Sequence, residues 1–276
     1  MSEGFSRRSP KELFLLKITV LGCGSSGGVP IIGGADGRGD WGACDPWEPR
    51  NRRSRSSILI QAPGGQTLLV DAGPDMRTQL LAVGCAWVDA ILLTHSHADH
   101  VMGLDDVRQL NRLMDRALPC FGTLATLEDA ARRFDYAFRE PTPTFYRPAL
   151  VPVEIDAGQE IEAAGFPIRL FRQDHKVMDT LGLRIGDFAY STDVVVMPEE
   201  SLEQLHGLDT WIVGCFGRRP HPVHAHLEQV VQWVERLRPR RTVLTHMGPD
   251  LDWAWMRANL PEGIEAAHDG LVLESR

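Results

Sequence analysis

Short apolar runs that stop on a polar residue recur along this chain, and they alternate with stretches whose apolar positions lie three and four residues apart. Residues 14–21 and 57–61 read as strands, and 67–70 carries Thr-Leu-Leu-Val into Asp71. At 89–94 four successive apolar residues follow an Asp and end at Thr94, the pattern of a short buried strand. Alternation over 166–173 marks another strand, running into Asp174 and His175. Residues 188–193 end on Asp193, 211–216 form a further apolar run, and 242–245 lead into His246. By contrast, Leu104, Val107, Leu110, Leu113 and Met114 keep helical spacing within 103–114, and 228–238 reads as a second amphipathic helix. This mixture predicts an α/β fold.

No linker, internal repeat or low-complexity segment divides the chain, so one domain over 1–276 is expected. Residues 1–12 are expected to be a disordered extension and 104–150 a helical insertion beside the site, with helices as far as 138. The four prolines of 140–152 would make a loop at its edge. The glycine-rich 22–28 follows a strand but lacks the Gly-x-Gly-x-x-Gly spacing and the Lys-Ser/Thr of a phosphate-cradling loop. It reads as a tight turn.

The candidate chemistry lies at strand ends. His95-Ser96-His97-Ala98-Asp99-His100 puts three imidazoles and a carboxylate into six residues between the strand 89–94 and the helix 103–114. Such a loop can aim several side chains at one point while the strand behind holds them still. Neutral imidazole and carboxylate suit zinc, manganese or iron(II), and the number of such groups exceeds what one tetrahedral ion takes. A two-metal site follows, with further ligands elsewhere. His175, Asp193 and His246 each stand just past a strand and would complete it.

In this order the residues resemble the metallo-β-lactamase superfamily, over nearly the whole chain from about residue 17. The resemblance implies a four-layer αββα sandwich of two mixed sheets with helices outside. It also implies that His95, His97 and His175 hold one divalent ion, that Asp99, His100 and His246 hold another, and that Asp193 bridges both. Asp71 would support the histidine loop without ligating. Within the superfamily the chain is most similar to the phosphodiesterase branch that includes phosphoribosyl 1,2-cyclic phosphodiesterase and, more distantly, ribonuclease Z. The residues that carry this are 21–30, the Arg-rich 50–57, the aromatic 134–138, Tyr190-Ser191-Thr192-Asp193 and 219–224.

His224 matches that branch's extra histidine and is expected to be catalytic, as general acid or phosphate contact. Asp99 is expected to be both ligand and catalytic residue, and His221 and His226 receive no role. The resemblance implies attack by a hydroxide bridging two zinc or manganese ions, which lower the pKa of water toward 7. The substrate would be a small cyclic phosphate or nucleotide-like ester. Arg52, Arg53, Arg55 and Lys176 are candidate phosphate contacts, although a solvated positive turn accounts for the arginine run equally well. The branch's cysteine-rich insertion for a structural zinc is missing, since 31–49 holds Cys44 alone. That stretch is instead rich in glycine and bears tryptophans, either as an ordered loop near the site or as a flexible one over it.

Composition narrows the partners. A net charge of -8 argues against long nucleic acid, which lowers a ribonuclease Z-like role. Hydrolysis of a thioester or lactam, or a metal-bearing binding or redox protein, are the other readings. The five cysteines are odd in number and scattered, as in reduced proteins. With no apolar run near the 18 or so residues of a membrane span, a cytoplasmic protein is expected, with a homodimer open.

Overall fold

The computed structural model describes residues 15–139 and 150–275. The expected extension 1–12 therefore lies outside the described residues, as do 140–149 of the expected insertion. Among the described residues, fourteen strands form two sheets. The first contains β1 (Leu16–Gly22), β2 (Ser57–Gln61), β3 (Thr67–Val70), β4 (Ala90–Leu92), β5 (Leu118–Gly122), β6 (Leu150–Glu154) and β14 (Val272–Ser275), in the order β14-β1-β2-β3-β4-β5-β6. The second contains β7 (Glu160–Ala163), β8 (Phe166–Asp174), β9 (Asp179–Ile185), β10 (Phe188–Ser191), β11 (Thr210–Gly214), β12 (Arg241–Thr245) and β13 (Ile264–Ala266), in the order β13-β12-β11-β10-β9-β8-β7. Each sheet combines three antiparallel and three parallel pairings, so both are mixed.

Strand alternation sorts the core into layers. Ile18, Val20, Ile58, Ile60, Leu68, Val70 and Leu92 share one buried cluster with Phe171, Leu183 and Tyr190 of the second sheet. Their neighbours Leu59, Leu69, Ile91 and Leu93 face the other way, toward Met76 and Leu80 of α1 (Met76–Ala82), Val107 and Leu110 of α3 (Val107–Met114), and Leu127 and Ala130 of α4 (Leu124–Arg133). On the far side of the second sheet, Leu202 of α6 (Glu199–Gln204), Val230 and Leu237 of α7 (Leu227–Leu237) and Met256 of α8 (Trp253–Asn259) join the first cluster. The result is the expected αββα sandwich.

Two local expectations change. The helix expected over 103–114 begins as a 3-10 turn, Leu104–Asp106, before α3, and Leu113 is exposed rather than on the apolar face. The expected helical insertion is not wholly helical either. Leu118–Gly122 pairs in parallel with β4 and β6, which makes this stretch part of the first sheet; α4 and the short α5 (Asp135–Phe138) follow it. The reason is that Leu118 and Cys120 of β5 are buried toward the helices and Phe121 toward the second sheet, a tertiary demand that overrides a local helical pattern.

Candidate metal centre

The loops leaving β3, β4, β8, β10 and β12 meet at one edge of the sandwich and bring together every candidate ligand read from the sequence. Two donor groups result: His95, His97, His175 and Asp193, and Asp99, His100, Asp193 and His246. Within each group the ligand atoms lie within 4.8 Å of one another. Asp193 belongs to both. One of its carboxylate oxygens stands 3.8 Å from His175 Nε2, and the other stands 3.1 Å from His100 Nε2 and 3.2 Å from His246 Nδ1.

The surrounding hydrogen bonds select which nitrogen of each ring is free. The Thr94 hydroxyl donates to Asp71, so its oxygen accepts from His95 Nδ1 at 3.0 Å, leaving His95 Nε2 for another partner. His100 Nδ1 donates to Asp71 at 2.7 Å, and His175 Nδ1 donates to the Val223 carbonyl at 2.6 Å. Three rings thus present Nε2 to a common space, the arrangement that outer partners impose on metal-binding histidines. Asp193 is held in turn, by Thr192 Oγ1 on its carboxylate at 2.7 Å and Thr180 Oγ1 on its carbonyl at 3.1 Å.

A divalent cation fits this donor set. His95 Nε2, Asp99 Oδ2, His100 Nε2 and both ring nitrogens of His246 are buried without hydrogen-bond partners. Each such atom costs about 1–3 kcal/mol unless something satisfies it. The electrostatics agree: burial opposes the charge of Asp193, but His246 and His100 hold its carboxyl well below the usual range. Burial and then the His100 ring push His95 well below an ordinary imidazole, so it stays neutral and able to ligate.

Backbone geometry completes the centre. Asp71, Asp193 and His246 adopt φ of 64°, 48° and 53°, conformations costing on the order of 1–3 kcal/mol each for such residues. Gly73 allows the turn after β3 to press on the histidine loop, since a Cβ there would lie 2.1 Å from the Asp99 carbonyl oxygen. Strain concentrated at strand ends that carry ligands is what a pre-organised site requires.

A model of the beta-lactamase superfamily domain matches residues 66–247. The chain belongs to the beta-lactamase superfamily. Within the superfamily it is similar to a solved structure described as a new diphosphatase from the PhnP family, at 35% identity and a TM-score of 0.85, covering 94% of this chain and 97% of that one. An octanoyltransferase of Porphyromonas gingivalis is 31% identical over 258 residues, covering 93% of this chain but 51% of that protein. Ribonuclease Z of Mycobacterium bovis is 30% identical over 208 residues, covering 69% of this chain and 66% of its own length. The chain spans about half the length of some of the curated relatives it matches.

His224 lies beside the donor groups, its Nδ1 3.7 Å from Asp193 and its ring 4.7 Å from that of His175 and 4.9 Å from that of His246. Burial, and then His246, push its pKa down to about 3. His221 packs 5.1 Å from His224 and 4.5 Å from Phe216, and His226 stands at the N-terminal boundary of α7 without a side-chain capping hydrogen bond.

The arginine run divides in a way no spacing could show. Arg53 is buried and donates to the Gly248 and Leu251 carbonyls and to Asn51, which makes it a structural staple and not a phosphate contact. Arg52 lies 4.9 Å over the Trp41 ring, Arg55 pairs with Asp75 at 2.8 Å, and Lys176 pairs with Asp174 at 3.1 Å. The stretch 31–49 is an ordered loop, with Ile31 and Asp40 hydrogen bonded in both directions and Ala43 donating to the Pro249 carbonyl. Sequence reasoning missed Thr94, the Val223 carbonyl and the α4 residues Asp129 and Arg133. Arg133 Nη1 donates to the Ser96 carbonyl at 2.7 Å across 37 residues, a contact with no sequence signal.

Proposed function

We propose that this protein hydrolyses a phosphodiester link in a small phosphorylated substrate, a cyclic phosphate or nucleotide-like ester, with two divalent ions, zinc or manganese. The observation that carries this reading is the sharing of Asp193 by two buried donor groups, since one carboxylate common to both suits a pair of ions acting on a single substrate. His95, His97, His175 and Asp193 would hold one ion, and Asp99, His100, Asp193 and His246 the other. Bound there, the ions supply activation of water at neutral pH and neutralise charge building on phosphate oxygens.

The chain's own residues do the rest. Asp71 and the Val223 carbonyl orient the rings, and Thr192 and Thr180 orient Asp193. Asp99 acts through its place in the second donor group, where His100 Nε2 lies 3.1 Å from its carboxylate. His224 borders both groups, and its depressed pKa supports the phosphate-contact role, in which a neutral imidazole donates one N–H to a phosphate or leaving-group oxygen. The net charge of -8 supports a small substrate over long nucleic acid.

A second reading, cleavage of a diphosphate link, is favoured by the 35% identical relative described as a diphosphatase. Protein loaded with zinc or manganese and offered bis(p-nitrophenyl) phosphate, cyclic nucleotides and nucleoside diphosphates tests both. Turnover that disappears in His97→Ala and Asp193→Ala is expected. A fully loaded protein inert toward every phosphodiester would overturn the first reading, and activity on diphosphates alone would establish the second.

A further inference from the structure

The ligand histidines are not anchored equally. His95, His100 and His175 each have Nδ1 tied to a protein oxygen. His97 has no ring hydrogen bond among the described residues; its ring is only half-buried, with centroids 4.7 Å from His95 and 5.2 Å from His175. Its neighbour Ser96, however, is held by one helix. Arg133 Nη1 donates to the Ser96 carbonyl at 2.7 Å. The Asp129 carboxylate pairs with Arg133 Nη2 at 2.5 Å and so fixes the guanidinium that makes this bond.

The helix is a firm base for this grip. Thr123 caps the start of α4 by accepting from the Thr126 N–H, and Leu127 and Ala130 bury its inner face against the first sheet. Asp129 and Arg133 stand four apart and so share one face. The segment 96–97 therefore has its backbone carbonyl fixed from a rigid element, directly beside a half-buried ligand whose ring, like the fully buried ring of His246, lacks a hydrogen-bonded anchor.

We propose that Asp129 and Arg133 are positioning residues for His97, acting through Ser96, and that they set the affinity of the donor group His95, His97, His175 and Asp193 without altering the other. The inference rests on the metal centre described above. It gives the α4 segment a task beyond walling the site: holding a ligand loop in register with β8 and β10.

Cobalt(II) titration of the metal-free protein, followed by its optical spectrum, tests this, with His97→Ala identifying the step that belongs to the His97 group. Wild-type protein is expected to bind two ions. Arg133→Ala and Asp129→Ala are expected to weaken only the His97 step, by about tenfold to a hundredfold, the range that outer partners of metal ligands command. Arg133→Lys, which restores one donor and the charge, is expected to recover part of the loss. Wild-type affinity in both alanine variants, or equal weakening of the two steps, would overturn the proposal. A wild-type protein that takes up no cobalt would overturn the metal reading itself, and this inference with it.

Discussion

His100 Nδ1 lies 2.7 Å from Asp71 Oδ2, and both side chains are fully buried. The same carboxylate accepts from the Thr94 backbone N–H at 2.8 Å and from the Thr94 hydroxyl, which in turn carries His95. One side chain thus orients a histidine in each donor group. Asp71→Asn keeps the size and tolerates φ near +60°, but it replaces an acceptor with an amide. Both ions are expected to bind about 10–100-fold more weakly, as read by competition with a chelator. Unchanged affinity would show that the carboxylate does not orient the rings.

His224 borders both donor groups without belonging to either. His224→Ala is therefore expected to lower kcat by about a hundredfold while both ions stay bound, within the range for a hydrogen-bond donor placed against developing charge. His226→Ala, at the start of α7, is expected to change kcat by less than about twofold. Metal analysis of the same preparations separates the two effects, and loss of metal in His224→Ala would make it a ligand.

Gly103 has an ordinary φ of -88°, so its conformation suits any residue. Space does not. A Cβ there would lie 2.1 Å from the Gly73 carbonyl oxygen, where the turn after β3 meets the histidine loop. Gly103→Ala is expected to destabilise the fold by at least about 3 kcal/mol, because the obstacle is backbone. Gly84 reverses the case, with φ of 67° and open space around it. Gly84→Ala is expected to cost only about 1 kcal/mol of conformational strain. Urea unfolding of the two variants checks the ordering, and similar losses would contradict it.

Tyr136 of α5 donates to Asp105 in the turn before α3. That hydrogen bond, with Arg108, holds the Asp105 carboxyl below its ordinary 3.8, while burial and then Asp105 push the Tyr136 hydroxyl up to about 12. A carboxyl lowered on folding contributes stability that is present above 3.8 and is lost as pH falls through its folded value. Tyr136→Phe is expected to cost at most about 1 kcal/mol at pH 7, since Asp105 is half exposed and screened by solvent. Denaturation at pH 7 and again well below 3.8 checks the sign: the gap between variant and wild type should shrink in acid. A gap that widens would reverse the assignment.

The sequence by itself determined much of this protein. Apolar runs ending at Asp71, Thr94, Asp174, Ser191 and Thr245 showed where strands stop, and the His and Asp residues just beyond those stops were legible as donors because strand ends are where a loop can be aimed. The resemblance to one branch of the superfamily implied that His224 stands apart from the ligands.

Tertiary structure alone decided how those pieces meet. Local pattern cannot show that Leu118–Gly122 pairs between β4 and β6, because parallel partners are chosen by contacts far along the chain. Nor can it divide Arg53, buried among carbonyls, from Arg55 on Asp75, since neighbouring residues on one turn point in different directions. The free nitrogen of His95, His100 and His175 is set by a hydroxyl, a carboxylate and a carbonyl 1, 29 and 48 residues away. So is the grip of Arg133 on Ser96, from 37 residues away. Residue types supply the donors, but hydrogen bonds across the fold aim them, and hydrogen bonds depend on distance in space rather than along the chain.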